Sequence, residues 1–257
     1  MALELREFDA SMTTGKRLQT VLALIERHLE GPAPARLNAH GEYRLLMVGR
    51  RVIRVVPVEA GGSSPFWECL SVVHLQSELV RRGALLRGAV TFGDAAERAA
   101  VVTGPGIFEA ERLCDEVAET PRVMVDPRLF REVEANEYLH SQTVPIELGY
   151  VRSLLREDAD GVWFVDYLKA LKTEVREPSL YLDFLEEHRQ LVERQLRQAD
   201  TLNRQSRSWT WLRSYHNQVI EELYEQKVLG SAERERLRLT AQGSLVYVFP
   251  PSAKIPR

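Results

Sequence analysis

Two β-prone runs, YRLLMV (43–48) and VIRVV (52–56), are separated only by Gly49-Arg50-Arg51. So short a glycine-containing gap reads as a tight turn, which makes the two runs an antiparallel hairpin. The flanking segments then say how such a sheet would be covered. On the N-terminal side, ALELREFD (2–9) alternates Leu3, Leu5 and Phe8 with polar neighbours and suits a short half-buried strand. Leu18, Val21, Leu22, Ile25 and Leu29 follow at helical spacing, with Ser11, Thr13 and Thr14 as candidate caps and Gly31-Pro32 as the stop. After the hairpin, the loop Gly61-Gly62-Ser63-Ser64-Pro65 opens a helix that buries Phe66, Leu70, Val73, Leu79 and Val80, with Gly83 as its C′ residue.

Further along, LLRGAVTFG (85–93) is apolar and β-prone, and AAVVT (99–103) is predicted to pair with it across a turn at Asp94–Arg98. Gly104-Pro105-Gly106 opens a helix over 107–118, and RVMVD (122–126) is a further strand. The order β-α-β-β-α-β-β-α-β predicts an α+β fold, a mainly antiparallel sheet with helices on one face. Past residue 150 the pattern changes. DADGVWFVDYL (158–168) reads as a turn and an apolar segment, followed by helical patterns at about 179–205 and 208–228. Their stripes are Leu182, Leu185, Arg189, Val192 and Leu196, then Trp209, Leu212, Tyr215, Val219 and Leu223; LVYVF (245–249) is a candidate last strand. The expected organisation is one domain over 1–150 and a helical C-terminal extension over 151–257.

Composition narrows the classes. With 257 residues, 44% hydrophobic, 28% charged and a net charge of −3, the chain can bury a substantial core. It lacks the basic stripe of a nucleic-acid-binding protein. The segment SRSWTWLRSYHN mixes aromatic and basic residues, but Trp209, Leu212 and Tyr215 at helical spacing read as core. No run approaches the roughly 20 apolar residues of a membrane span and no apolar leader is present, so the expected location is the cytoplasm. Cys69 and Cys114 lie in apolar segments and read as reduced, buried thiols. The histidines have no ligand spacing and there is no CxxC, which argues against zinc.

LLRGAVTFGD (85–94), GPGIFEAERL (104–113) and ETPRVMVDP (119–127), in that order and spacing, resemble the class III adenylate/guanylate cyclase catalytic domain. The likeness is to divergent bacterial members, including the pyrimidine cyclases of antiphage signalling, and WTWLRSYHNQVI (209–220) is similar to an extension many of them carry. The resemblance implies closure of a ribose 3′-oxygen onto the α-phosphate of a nucleoside triphosphate, with release of pyrophosphate. It also implies two Mg²⁺ or Mn²⁺ ions held by two aspartates, a transition-state arginine, and a site at a homodimer interface.

Carried over residue by residue, Asp9 stands where the first metal aspartate belongs, or is a surface capping residue. The second metal aspartate would lie in the hairpin turn, which here holds Arg50 and Arg51; a guanidinium has no lone pair for a metal. These arginines either pair with Asp9 or a bound phosphate, or are solvated hairpin charges. Arg112 falls at the transition-state arginine, or simply pairs with Glu109 or Glu116 along its helix. Gly104 is a candidate for close approach to nucleotide, Phe108 replaces the family's asparagine and Val101 its base-reading aspartate. Arg87, inside an apolar strand, is expected to have a structural partner.

The expectation is therefore a cyclase-like signalling protein with a degenerate two-metal site, which binds a nucleoside triphosphate, a cyclic nucleotide or a partner. One alternative is an active cyclase that recruits a carboxylate such as Asp94 or one from a second subunit, needing Mg²⁺ or Mn²⁺ only in that case. The other is a non-enzymatic adaptor that binds through its long helices.

Overall fold

A computed structural model describes residues 1–6, 15–29, 43–58, 64–98, 101–118, 120–139, 143–198 and 204–240. Asp9, the candidate caps of the first helix, its Gly31-Pro32 stop and the LVYVF run lie outside the described residues. The first half contains β1 (Ala2–Arg6), α1 (Gly15–Leu29), β2 (Arg44–Val48), β3 (Arg51–Val55), α2 (Pro65–Arg81) and β4 (Leu85–Val90). These strands lie in the order β2-β3-β1-β4, every neighbouring pair antiparallel. That is a split β-α-β arrangement, in which β3 sits between β1 and β2. The predicted hairpin turn is present, with Gly49 at φ +62°, a left-handed conformation that favours glycine.

A ribbon of β5 (Ala96–Arg98) and β6 (Val101–Thr103) follows, then α3 (Pro105–Arg112), β7 (Val123–Val125), α4 (Arg128–Ala135) and α5 (Val144–Ser153). Of the run expected to pair with β4, Val101–Thr103 pair with β5 instead, and 99–100 lie outside the described residues. The chain leaves the sheet because Gly93 packs directly on Gly106, where a Cβ would lie 2.7 Å from the Gly93 carbonyl. At the next element β7 pairs parallel to β4, so the sheet is mixed.

The C-terminal part is not purely helical. β8 (Leu155–Glu157) and β9 (Trp163–Val165) extend the same sheet, which runs β2-β3-β1-β4-β7-β9-β8 over seven strands. Then come α6 (Tyr167–Glu174), α7 (Pro178–Gln198), α8 (Arg204–Glu225) and α9 (Ser231–Leu237). One core runs through both halves, joining Leu3, Leu75, Phe164, Phe184, Leu212 and Leu237. The aromatic stripe of α8 is core, as its spacing predicts: Trp209 and Tyr215 are buried, and Phe164 stands edge-on to Trp211 and Tyr215 at 5.5 and 5.4 Å. Each such side chain contributes about 1.5–3 kcal/mol by leaving water. Among the described residues no helix is long and apolar enough to cross a membrane.

The sheet is covered on both faces, which corrects the expectation of helices on one. Alternation along β3 shows why. Val52 and Arg54 face α2, where Glu68 and the Leu29 carbonyl take the Arg54 guanidinium. Arg51 faces the other way and meets Glu111 and Asp115, from α3 and the turn after it. β4 lies between the two helical layers and is buried throughout, which its near-continuous apolar run LLRGAV anticipates.

Candidate functional site

The β1 register builds a charged row on the α3 side of the sheet. Glu4 pairs across to Arg51 on β3 and to Arg87 on β4, so a carboxylate stands between two guanidinium groups. Glu4 takes both Nε (2.7 Å) and a terminal nitrogen of Arg87. Above the row, α3 ends in one π-helical turn, Leu113–Val117, closed by Ala118 N donating to the Leu113 carbonyl at 2.9 Å. Near this turn Asp115 accepts from Arg51 at 2.6 Å and lies 3.5 Å from Arg87, while Glu111 accepts from Arg51 at 3.3 Å. Arg87 thus has the structural partner its place in an apolar strand calls for.

Glu4, Cys114 and Asp115 offer ligand atoms within 4.8 Å of one another. They do not fit a metal. Arg51 and Arg87 already neutralise the two carboxylates, and burial pushes the Cys114 thiol up to about 11, away from the thiolate a metal needs. The hairpin turn lies beside the end of β1, as Leu5 N donates to the Arg50 carbonyl at 2.9 Å. The Mg²⁺ or Mn²⁺ pair implied by the cyclase resemblance would need a carboxylate there. The residues present at this position are Arg50, exposed, and Arg51, held by acidic groups of α3. Asp9, the other residue of that expected set, is outside the described residues.

Arg112 is brought to neither arginine of the hairpin. Its Nε and one terminal nitrogen bind Glu109 at 2.8 and 2.9 Å, and the other terminal nitrogen reaches Glu116 at 3.2 Å. Phe108, one turn earlier, is 62% exposed. Gly104 has φ +150°, and a Cβ there would lie 2.5 Å from the Asp94 carbonyl. The same carbonyl accepts from Gly106 N at 2.9 Å, so these glycines serve the close packing of the 93–95 loop on α3.

At the end of β7, Asp126 accepts from Thr91 Oγ1 at 2.7 Å and from Arg128 N and Nε, both at 2.9 Å. Burial alone would push its carboxyl up, but these hydrogen bonds outweigh that and hold it below the usual range. The DADG turn, which resembles half a calcium loop, has both aspartates claimed by Arg122, and Trp211 Nε1 donates to Asp158 at 2.8 Å.

No protein-family profile, curated protein or solved structure matches the chain.

A further polar cluster, outside the site residues expected from sequence, lies where β8 and the end of β9 meet the C-terminal helices. Asp166 accepts from Arg156 Nε at 2.7 Å and Tyr215 OH at 2.6 Å and caps α6 through Lys169 N at 3.2 Å. Arg156 also grips Glu222 through both terminal nitrogens, at 2.5 and 2.7 Å. Beside it His188 and His216 stack, ring centroids 5.1 Å apart. The Leu237 carbonyl can only accept, so His216 Nε2 carries a hydrogen and its Nδ1 is bare. His188 Nδ1 therefore donates to His216 Nδ1 at 3.1 Å, and His188 Nε2 accepts from Tyr167 OH at 2.8 Å. These roles follow from neutral rings, which burial favours: with the neighbouring His216 it lowers His188 well below the ordinary value, and it brings His216 to about 4. The only sequence signal was polar residues set into apolar stripes, which does not say which of them meet.

Proposed function

We propose that this chain is a divergent nucleotide-cyclase-like signalling protein with a degenerate two-metal site, acting by binding a nucleotide or a partner rather than by cyclising one. The observation that carries the reading is Arg51. It stands at the hairpin position where two-metal chemistry needs a carboxylate, and it is occupied by Glu111 and Asp115 of its own chain. A cation fixed there repels a divalent ion and leaves too few oxygen ligands for a pair. The split β-α-β order supports the cyclase-like part of the reading, because it sets the hairpin turn beside the end of β1. Exposed Phe108 and Arg112 on α3 support a homodimer as the working form. The resemblance suggests bacterial defence as the setting.

The test is to incubate the full chain with each nucleoside triphosphate and Mn²⁺, following cyclic product and thermal stability together. The expected outcome is no cyclic product and a stability gain approaching about 2.7 kcal/mol with a nucleotide at 100 times its Kd. Cyclic product would overturn the degenerate site and favour a composite site. Asp94 of the same chain is poorly placed for that role, since it follows the end of β4, more than roughly 10 Å along the strand from Arg87. A chain silent in both measurements would instead fit the adaptor reading.

A further inference from the structure

On the α3 side of the sheet, where β3 and β4 end, the chain forms a partly open cavity of about 300 Å³, large enough for a small organic molecule. Its lining is mixed: apolar side chains come from Ile53 and Val55 of β3, Val58 and Phe92 of the segments that follow the strands, and Ile107 and Ala110 of α3, with polar groups between them. The Gly93–Gly106 contact closes one side, because neither residue has a side chain to fill the space. Three lining residues carry polar side chains that can serve a ligand: Thr91, Asp94 and Asn136. Thr91 Oγ1 already donates to Asp126, so it presents a lone pair.

The charge of this lining is one-sided. Asp94 is its one acidic residue, exposed at the rim. Arg54 is its one basic residue, but its guanidinium lies on the opposite sheet face, engaged by Glu68 and the Leu29 carbonyl. Among the lining side chains, an anionic ligand such as a triphosphate finds no positively charged group turned toward it. A cation with an apolar body would find a carboxylate in the lining, a lone-pair acceptor at Thr91 and the apolar side chains of Ile53, Ile107 and Ala110.

We infer that this cavity is a second binding site, separate from the Arg51 row, for a small organic cation: an ammonium or amidinium group held by Asp94 with an apolar body against Ile53, Ile107 and Ala110. It goes beyond the nucleotide reading, which concerns the other end of the same strands.

The experiment uses the full chain with isotopically labelled isoleucine methyl groups, titrated to millimolar concentrations with phenethylamine and benzamidine. The matched acids 3-phenylpropionate and benzoate serve as controls. The expected result is saturable shifts of the Ile53 and Ile107 methyl signals with at least one cation, absent with both acids and weakened at least tenfold in Asp94→Asn. Asp94 is exposed and packs on α3 through its backbone carbonyl, which Asp94→Asn retains, so this variant is expected to keep the fold. Equal response to the acids, an undiminished response in Asp94→Asn, or no shift with either cation would each overturn the site. A failure of nucleotide binding in the previous experiment would leave these signals unchanged, so the two readings fail separately.

Discussion

Two charged assemblies hold this molecule together at different depths. On the sheet, the Arg51–Asp115 end of the charged row is partly open to water, with side chains 29% and 45% exposed, while Arg87 at the other end of the row is buried. Among the helices, Asp166 is 1% exposed, and His188 and His216 are fully buried. Exposed pairs contribute about 0–1 kcal/mol, whereas removing one partner from a buried pair costs about 3–5 kcal/mol. The half-open Arg51–Asp115 end of the row can therefore change its charges cheaply, whereas Arg87 and Arg122, buried within the segments that carry the resemblance, cannot. The Asp166–Arg156–Tyr215 group and the His188–His216 pair, buried and hydrogen-bonded among the helices, cannot either. Arg51 stands on such a half-open surface, so little of the stability of the fold rests on it.

The largest effect should come from Asp166→Ala. It removes the acceptor of the Arg156 Nε and Tyr215 OH bonds and the cap of α6, although Glu222 still holds the Arg156 terminal nitrogens. Chemical denaturation should show a loss of about 3–5 kcal/mol. A loss below about 1 kcal/mol would mean that the helical network is no more critical than the sheet row, and the contrast would collapse.

Next in size is a pH effect confined to the helices. His216 has a folded pKa of about 4 and an ordinary unfolded value, so between about pH 6.5 and 4 the unfolded chain binds more protons than the folded one. Stability is thus fully present above that window and falls as pH drops through it, by roughly 3 kcal/mol for this residue. His188, lowered in the same direction by burial and by the neighbouring ring, adds to the fall. Glu222, Asp126 and Asp160 are held below their usual range and lose their contribution at more acidic pH, as they protonate. Equilibrium unfolding across pH separates the two windows. The double variant His188→Gln/His216→Gln should be weaker at neutral pH yet nearly flat from pH 6.5 to 4; persistence of the slope would assign it to other groups.

How legible this was from sequence differs between the same two regions. The hairpin about Gly49, the helix ending at Gly83 and the buried stripe of α8 follow from local chemistry, and each formed where the residues indicate. The helix over α3 was legible too, but not its π-helical turn, which sets Asp115 over the sheet. Pairings between distant elements were not legible. Glu4 sits in a strand whose alternation shows only that it opposes Leu3 and Leu5; that it lies between Arg51 and Arg87 depends on register. The partners His188 and His216 are 28 residues apart on separate helices, with nothing local to link them. Strand β9 was missed because WFV is short and buried against Trp211 and Tyr215 rather than alternating.

The smallest effects should come from the hairpin arginine. Arg51→Ala removes one cation from a half-open site and leaves Arg87 to hold Glu4, so the expected loss is about 0–1 kcal/mol. Arg51→Asp is the more informative change. It gathers a fourth carboxylate beside Glu4, Glu111 and Asp115, with Arg87 as the nearby counter-charge, and so converts a repelled cation site into an acidic one. Its melting temperature should fall in chelator and recover on adding Mn²⁺, whereas the parent chain should not respond to the ion. An equal Mn²⁺ response in the parent would show that Arg51 does not keep divalent ions away. Absence of a response in the variant would show that the geometry of this turn, and not its charge alone, has departed from a two-metal site.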